Sequence, residues 1–468
     1  MKSIYTWALL ALSTAVNALS SSGQRLLVVL EDAELKGKYS QFLGDLESRG
    51  YQISVESPKN DAVTLFKHGE LAYDHLILLP PKSKAYGPNL TPTILLEYLK
   101  NEGNILLPLS ANTATPTGIV SLLLELDIHL PPDRNALVVD HFNYDTRSAS
   151  DKHDVLTLPR PGPLRPDAKN YFGGDGLLAV PRAVGQTLGN ASPLLAPILT
   201  APATSYSYNP KEDGEAVEEL FATGSQMALA TGLQARNSAR LTVLGSAEML
   251  EDGWFEAQVQ APGGKKSKAV NRDFARQITE WTFKEVGVLK VGKLQHYLNE
   301  GANKGVDPAS IAESELNPKI YRIKNDVTYT IELSEYSHDH WTPFIPPSND
   351  ALQLEFTMLS PFHRLPLTPL DTTANSTLFG AAFTTPDQHG IFSFRVNYKR
   401  PFLTAVDEKD QVTLRHMAHD EWPRSWQISG AWTWIAGVWV TVGGWLAFLA
   451  LWLYSAPTDK KGGVKKRQ

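Results

Sequence analysis

The chain has 468 residues, of which 42% are hydrophobic and 20% charged, and a formal net charge of -6. That length exceeds what one hydrophobic core organises, so more than one folded unit is expected, and the acidic balance gives no support to nucleic-acid binding. Cysteine is absent, which excludes disulfides, thiolate metal sites and a thiol nucleophile anywhere in the chain.

Met1 to Ala18 carries an early Lys2, an apolar run from Ile4 to Val16 and small or apolar residues at Val16 and Ala18. This is the pattern of a secretory signal cut after Ala18, and the run is too short to cross about 30 Å of hydrocarbon. From Arg25, short β-rich runs alternate with longer amphipathic ones: Leu26 to Leu30, Gly37 to Arg49, Gln52 to Val55, His75 to Leu79, Thr91 to Lys100, Asn104 to Leu109 and Pro116 to Leu126. Near-continuous Leu, Val and Ile in the strands predicts a parallel sheet covered on both faces, a doubly wound α/β domain over residues 19–300. Its middle, from about Asp145 to Glu218, is rich in Pro, Gly and Ala and reads as loops with short strands. Order resumes at Met227 to Leu233 and Arg240 to Leu244. A helix is expected over Asn271 to Val286, with Phe274, Ile278, Trp281 and Thr282 facing inward.

Beyond about Asn317 the period changes to two. Val327, Tyr329, Ile331 and Leu333 alternate with polar residues, as do Leu352, Leu354, Phe356 and Met358, and Phe392, Phe394, Val396 and Tyr398. The expectation is an antiparallel β-sandwich domain over residues 301–424. No charged residue lies between Arg424 and Asp459, so a single transmembrane helix is placed at 428–454. The tail, 455–468, holds Lys460, Lys461, Lys465, Lys466 and Arg467 against Asp459 alone, which puts it in the cytosol and the bulk of the chain in the lumen. Within the anchor, Gly443 and Ala447 form a small-xxx-small pair suited to helix packing.

The strong hydrolase and metal signatures are missing, and no cofactor is called for. Glu31 and Asp32 occupy a strand end of the kind that faces ligand in doubly wound folds. As neighbours on a strand they point to opposite faces and flank one bond poorly. Asp140, His141, Asp145, Asp151, His153 and Asp154 are a weaker cluster, for which strand-end and loop hydrogen bonding is the plainer reading than a metal. His338 to His340 reads as a polar hairpin loop. Acceptor sequons stand at Asn89, Asn190 and Asn375. Pro92 and Pro193 directly follow the first two sequons, which makes Asn375 the better candidate.

Taken together, these runs resemble the 48 kDa subunit family of the endoplasmic reticulum oligosaccharyltransferase. The parallels are LLVVLED (26–32), YDHLILLPP (73–81), VVDHFNYD (138–145), TSYSYNP (204–210), GLQARNSARLTVLGS (232–246) and WTFKEVGVLKVG (281–292). The second half adds YTIELSEY (329–336), LQLEFTMLSPFHR (352–364) and GIFSFRVNYKRPFLT (390–404). The resemblance implies an accessory subunit of the complex that moves a dolichol-linked oligosaccharide to Asn in Asn-x-Ser/Thr sequons. It implies other oligosaccharyltransferase subunits and the membrane as partners, the dolichol-linked oligosaccharide as a further one, and a catalytic site on another, multi-spanning subunit. It also implies an amidotransferase-like first domain lacking that activity, since Cys is absent, and a dilysine retrieval signal at Lys465 and Lys466.

Overall fold

The structure, a computed structural model, describes residues 19–60, 63–189, 194–210, 221–421 and 431–455. The expected signal, the sequon at Asn190 and the dilysine tail fall outside the described residues. The chain is a mixed α/β protein in which residues up to Arg415 form one compact unit and those from His416 a second.

The first sheet is built from β1 (Arg25–Val29), β2 (Gln52–Glu56), β3 (His75–Leu78), β4 (Asn104–Pro108), β8 (Leu195–Thr200), β10 (Ala228–Gln234) and β11 (Arg240–Leu244). Short strands outside this sheet include β5 (Leu137–Val139), β6 (Val155–Pro159) and β7 (Leu177–Pro181) between β4 and β8, and β9 (Tyr206–Tyr208) after β8. The spatial order is β2-β1-β3-β4-β11-β10-β8. The first five strands run parallel, and the last two pairings, β11 with β10 and β10 with β8, are antiparallel. β1 is almost wholly apolar because both of its faces are covered. Leu26 and Val28 pack with Phe42, Leu43 and Leu46 of α1 (Ser40–Ser48) and with Phe274, Ile278 and Trp281 of α4 (Asn271–Thr282). Leu27 and Val29 pack with Leu95 and Leu99 of α2 (Pro92–Lys100) and with Ile119, Leu122 and Leu123 of α3 (Thr117–Glu125). In α2, Thr91 caps the amide of Ile94 and Pro92 opens the first turn, where a missing N–H costs nothing.

The helix expected to reach Val286 ends at Thr282, because Lys284 turns into the left-handed region (φ 60°) and the chain becomes β12 (Val286–Leu298). β12 pairs along its length with β14 (Asp326–Ser337), so the second set of strands begins ahead of residue 301. Its sheet runs β12-β14-β19-β18, with β15 (His340–Pro343) added to β14, β18 (Thr368–Thr372) at the far side and β19 (Thr377–Thr384) within. The third sheet runs β13-β21-β20-β16-β17, formed by β13 (Ile320–Arg322), β16 (Gln353–Met358), β17 (Ser360–Pro366), β20 (Gly390–Tyr398) and β21 (Val406–Arg415). The alternating residues of β14, β16 and β20 turn toward one another: Tyr329 stacks on Phe394 at 5.4 Å and Phe356 on Phe392 at 4.8 Å, all fully buried.

One buried cation ties the first sheet to the strands that follow it. Arg240 at the start of β11 donates to the carbonyls of Trp281 (2.5 Å), Val286 (2.7 Å) and Gly287 (2.6 Å), and its guanidinium lies 4.9 Å from the Trp281 ring. The Trp281 indole in turn donates to Phe402 O at 2.8 Å. Gly287 (φ 70°) is required here, since a Cβ would lie 2.7 Å from that same carbonyl oxygen.

A second buried polar group, His75 of β3, is held as the neutral ring. Asn104 Nδ2 donates to its Nδ1 at 3.2 Å and its Nε2 reaches Gly23 O at 3.1 Å, so the proton belongs on Nε2. Burial pushes its pKa from 6.5 down to about 4.

Two outcomes follow from these groups. Arg240→Met removes a charged donor from three buried carbonyls, of which Trp281 O keeps the Lys284 amide (3.2 Å) and Gly287 O the Thr404 amide (3.1 Å), and thermal melting of the full chain in detergent is expected to show a loss of about 1–3 kcal/mol; an unchanged melting temperature would refute the role given to this residue. For His75, the unfolded chain takes up the proton first, so its contribution is intact above about pH 6.5. That contribution falls by about 3 kcal/mol as the pH drops through the window to about 4. His75→Gln is expected to flatten that part of the stability profile.

Candidate functional site

In an open parallel sheet, ligands gather beyond the carboxyl ends of the strands where the strand order reverses. Here the reversal lies between β1 and β3, and the residues that follow those strands are Glu31 and Asp32 on one side and Pro80 to Ser83 on the other. The carboxylates at this crevice are hydrogen-bonded to neighbours in the chain. Glu31 Oε1 accepts from Lys59 Nζ at 2.8 Å, and its Oε2 accepts from the amides of Lys82 (2.5 Å) and Ser83 (3.0 Å). Asp32 accepts from Lys82 Nζ at 2.6 Å. The Lys59 bond, aided by the two amides, holds the Glu31 carboxyl below the usual carboxylate range. Beyond β3 and β4, the slot between Pro80, Tyr86, Ser110 and Pro116 has room for about 10 Å³, at most a single water. A cavity of about 510 Å³ lies instead beside β8, lined by Leu158 to Leu164, Pro197 to Pro202 and Phe402, and neither Glu31 nor Asp32 reaches it.

At the end of β11 stands a carboxylate that sequence reasoning passed over. Glu248 accepts from Asn112 Nδ2 at 2.5 Å and from Arg182 Nε at 2.9 Å. Arg182 lies in the left-handed region (φ 42°). No motif marks this trio, because its members are far apart in sequence.

The structure brings together part of the Asp140 to Asp154 cluster. Asp140 is fully buried and accepts from the amides of Phe142 (2.8 Å) and Asn143 (3.1 Å) and from Thr204 Oγ1 (2.8 Å). Burial opposes its ionisation, but these donors outweigh that and hold it below the usual carboxylate range. Asp145 accepts from Gln260 N at 2.8 Å and Ser148 N at 3.1 Å. His141 and His153 meet through their Nδ1 atoms at 2.5 Å, with His153 Nε2 on Ser150 O at 3.0 Å and His141 Nε2 on Tyr206 OH at 2.9 Å. One consistent assignment runs Tyr206 OH to His141 to His153 to Ser150 O, with both rings neutral. Two nitrogens aimed at each other at this distance leave no space for an ion between them. Among the described residues no three His, Asp or Glu side chains are grouped to hold a metal.

The second half holds an Asp–His–hydroxyl line. His296 Nδ1 meets Tyr321 OH at 2.7 Å and its Nε2 meets Asp410 Oδ2 at 3.1 Å, while the ring stacks on Phe394 at 4.6 Å. Such a line activates a nucleophile where the hydroxyl opens onto substrate. Tyr321 is buried at 3% exposure, and its burial drives the phenol pKa upward, away from ionisation.

In the second unit, α5 (Trp432–Tyr454) has 23 residues, a mean hydropathy of 1.8 over its most apolar stretch and no buried side chain. At 1.5 Å per residue it spans roughly 34 Å, enough for the hydrocarbon core. Gly443 and Ala447 are exposed on it, and no heavy atom lies within 4 Å of a Cβ built on Gly443. Asn89 is half-buried, and Asn375 is exposed in the turn between β18 and β19.

Among the described residues these features fit a single-pass membrane protein with a mixed α/β body whose titratable clusters are tied into local hydrogen bonding. The OST48 N-terminal domain model matches residues 17–285 and the OST48 middle domain model residues 309–456. The chain belongs to the OST48 family. It is 32% identical over 98% of its length, and 98% of the relative's, to the dolichyl-diphosphooligosaccharide--protein glycosyltransferase subunit wbp1 of Schizosaccharomyces pombe. It is 30% identical to the 48 kDa subunit of Caenorhabditis elegans, covering 97% of this chain and 96% of that one. It is 28% identical to the subunit of the same name in Arabidopsis thaliana, covering 97% of each.

If Glu31 is a clamp, Glu31→Ala is expected to free the 82–83 segment and cost about 1–2 kcal/mol of stability, read as faster amide hydrogen exchange there. Unchanged exchange with loss of a glycan-processing activity would instead make Glu31 a catalytic group.

Proposed function

We propose that this chain is an accessory, non-catalytic subunit of the oligosaccharyltransferase complex of the endoplasmic reticulum. In this reading it supports assembly and the efficient transfer of the dolichol-linked oligosaccharide to Asn in Asn-x-Ser/Thr sequons of nascent proteins. The observation that carries the reading is the state of the carboxylates. Glu31, Asp32, Asp140, Asp145 and Glu248 each accept hydrogen bonds from neighbouring groups of the chain. The names of the relatives, all subunits of this transferase, support the same reading.

The layout proposed is a cleaved signal at 1–18, a doubly wound lumenal part from residue 19 to about residue 285, a β-sandwich that begins with β12 at Val286 rather than at 301, a type I span and a cytosolic tail with its dilysine address at Lys465 and Lys466. The partners are a multi-spanning catalytic subunit and other subunits of the complex, with the dolichol-linked oligosaccharide at the lumenal surface. Asn375 is the sequon proposed to carry glycan, ahead of Asn89 and Asn190.

In α5, Ala436, Gly443, Ala447 and Ala450 fall within one stripe at 100° per residue, with Trp434, Trp445 and Trp452 on the opposite side and Trp432 and Trp439 along one edge of the stripe. The stripe is the proposed packing face toward other subunits. Affinity purification of the full chain in mild detergent is expected to recover a multi-spanning glycosyltransferase, and depletion to leave many proteins underglycosylated. Isolation as a lone chain with normal glycosylation would reject the proposal. Gly443→Leu with Ala447→Leu is expected to reduce that recovery severalfold while the protein remains in the membrane.

A further inference from the structure

The sequon at Asn375 is divided by the fold. β18 and β19 are joined by the turn Thr373 to Ser376, since Thr372 pairs with Thr377 across the ladder. Asn375 is exposed in that turn, whereas Ser376 and Thr377, which complete the Asn-Ser-Thr motif, are buried at 5% and 2% exposure. Thr377 opens β19 and pairs on its other side with Leu333 of β14. Its side chain shares a face of the strand with the buried Phe379, so it is turned inward, and its hydroxyl has no hydrogen-bond partner among the described residues. Ser376, the middle residue of the motif, fastens the arrangement. Its Oγ donates to Glu332 Oε1 of β14 at 2.5 Å, and Thr373 Oγ1 meets that Oγ at 2.7 Å and accepts from the Ser376 amide at 3.0 Å. Thr373 N closes the turn on Ser376 O at 2.8 Å. The Ser376 bond, with the Lys293 amide at 3.0 Å on the other oxygen, holds the Glu332 carboxyl below the usual carboxylate range. A hydroxyl donating to an ionised carboxylate makes one of the stronger hydrogen bonds, so the turn is firmly closed.

An Asn-x-Ser/Thr acceptor is defined by a hydroxyl two residues beyond the asparagine, so a transferase has to take up both groups together. Transfer forms a bond between Asn375 Nδ2 and C1 of the sugar and breaks the bond from C1 to the diphosphate oxygen. The dolichyl diphosphate leaves with that bonding pair, and the amide gives up one proton to a base. In the closed turn the Asn375 amide is open to such a site and the Thr377 hydroxyl is not. We propose that Asn375 is a folding-gated acceptor: it is glycosylated on the growing chain before β19 joins β14, and Ser376 then locks the motif shut with the glycan directed to solvent. The inference rests on this sequon being used in the lumen and not on the chain's role in the complex.

The test compares three acceptors, with occupancy of Asn375 read by mass spectrometry. One is the full chain translated into microsomes. The others, the full chain made without glycan in bacteria and folded in detergent, and a synthetic peptide of residues 370–380, are offered to an isolated oligosaccharyltransferase with dolichyl-diphosphate-linked oligosaccharide. The expected result is glycan at Asn375 on the microsomal chain and on the peptide. The folded chain is expected to react at least about tenfold more slowly than the peptide, because only its locally opened fraction presents Thr377. Ser376→Ala keeps an intact Asn-Ala-Thr motif while removing the bond to Glu332, and is expected to raise the rate on the folded chain severalfold relative to its matching peptide. Thr377→Val removes a hydroxyl without a partner, so an unchanged melting temperature and no transfer in any arm are expected. A folded wild-type chain modified as fast as the peptide would overturn the gating and leave the sequon in use. A slow rate unmoved by Ser376→Ala would overturn the lock. An unmodified Asn375 on the microsomal chain, beside a modified peptide, would overturn use of the sequon and the proposal with it.

Discussion

A guanidinium held by carbonyl oxygens is the interaction on which the body of this protein depends. Arg240 is fully buried and its hydrogen-bonded acceptors are main-chain carbonyls: one at the end of α4 and two at the start of β12. Burial lowers its pKa to about 9, which still leaves it charged at neutral pH. The last carbonyls of a helix carry partial negative charge, so the site is electrostatically suited to a cation. The consequence is directional. A residue on the first sheet fixes where α4 stops and where β12 begins, and Trp281, locked between Arg240 and Phe402, brings a loop of the second half into the first core. The two sets of strands therefore share one compact unit up to Arg415 rather than being joined by a loose linker.

The same use of polar groups recurs where disulfides are excluded by composition. Arg49 reaches Glu285 at 2.8 Å and Thr279 at 2.6 Å, and Tyr51 donates to the same carboxylate oxygen at 2.7 Å, all within the core beside α4. Asn104 accepts the Arg240 amide at 3.1 Å while donating to His75, so one side chain couples the β11 and β3 ends of the sheet. Isolated surface pairs contribute little to stability, whereas removing one partner of a buried hydrogen-bonded group is expensive. Stability here is concentrated in a few such groups.

Much of this was legible in the sequence, and the parts that were not have a common cause. The strands from Arg25 to Pro108, the helices at 92–100 and 117–125, and the inward faces of α4, β14, β16 and β20 follow from apolar periodicity, which depends on neighbours in the chain. The expected helix end at Val286 missed because Lys284 adopts a positive φ without the glycine that usually announces it. Arg240 resembles any surface arginine until the carbonyls 41 to 47 positions away are brought to it. The trio of Asn112, Arg182 and Glu248 is hidden in the same way, by contacts across 66 and 136 positions. Glu31 and Asp32 were recognisable as a strand end. Their neutralisation by Lys59 and Lys82 was not, since those lysines read as solvated charge.

The contrast between position and accessibility bears most directly on function. His296, Asp410 and Tyr321 have the contacts of a nucleophile-activating line, and Glu31 sits at the switch point where doubly wound sheets take ligand. Catalysis needs the activated atom to meet substrate, and Tyr321 is sealed against Phe394 while the Glu31 oxygens are occupied by one lysine and two amides. A hydroxyl buried beside an imidazole and a carboxylate satisfies three polar groups inside an aromatic core, a structural gain in itself. Both arrangements keep the geometry of a reactive site while their polar atoms are taken up by neighbours within the chain.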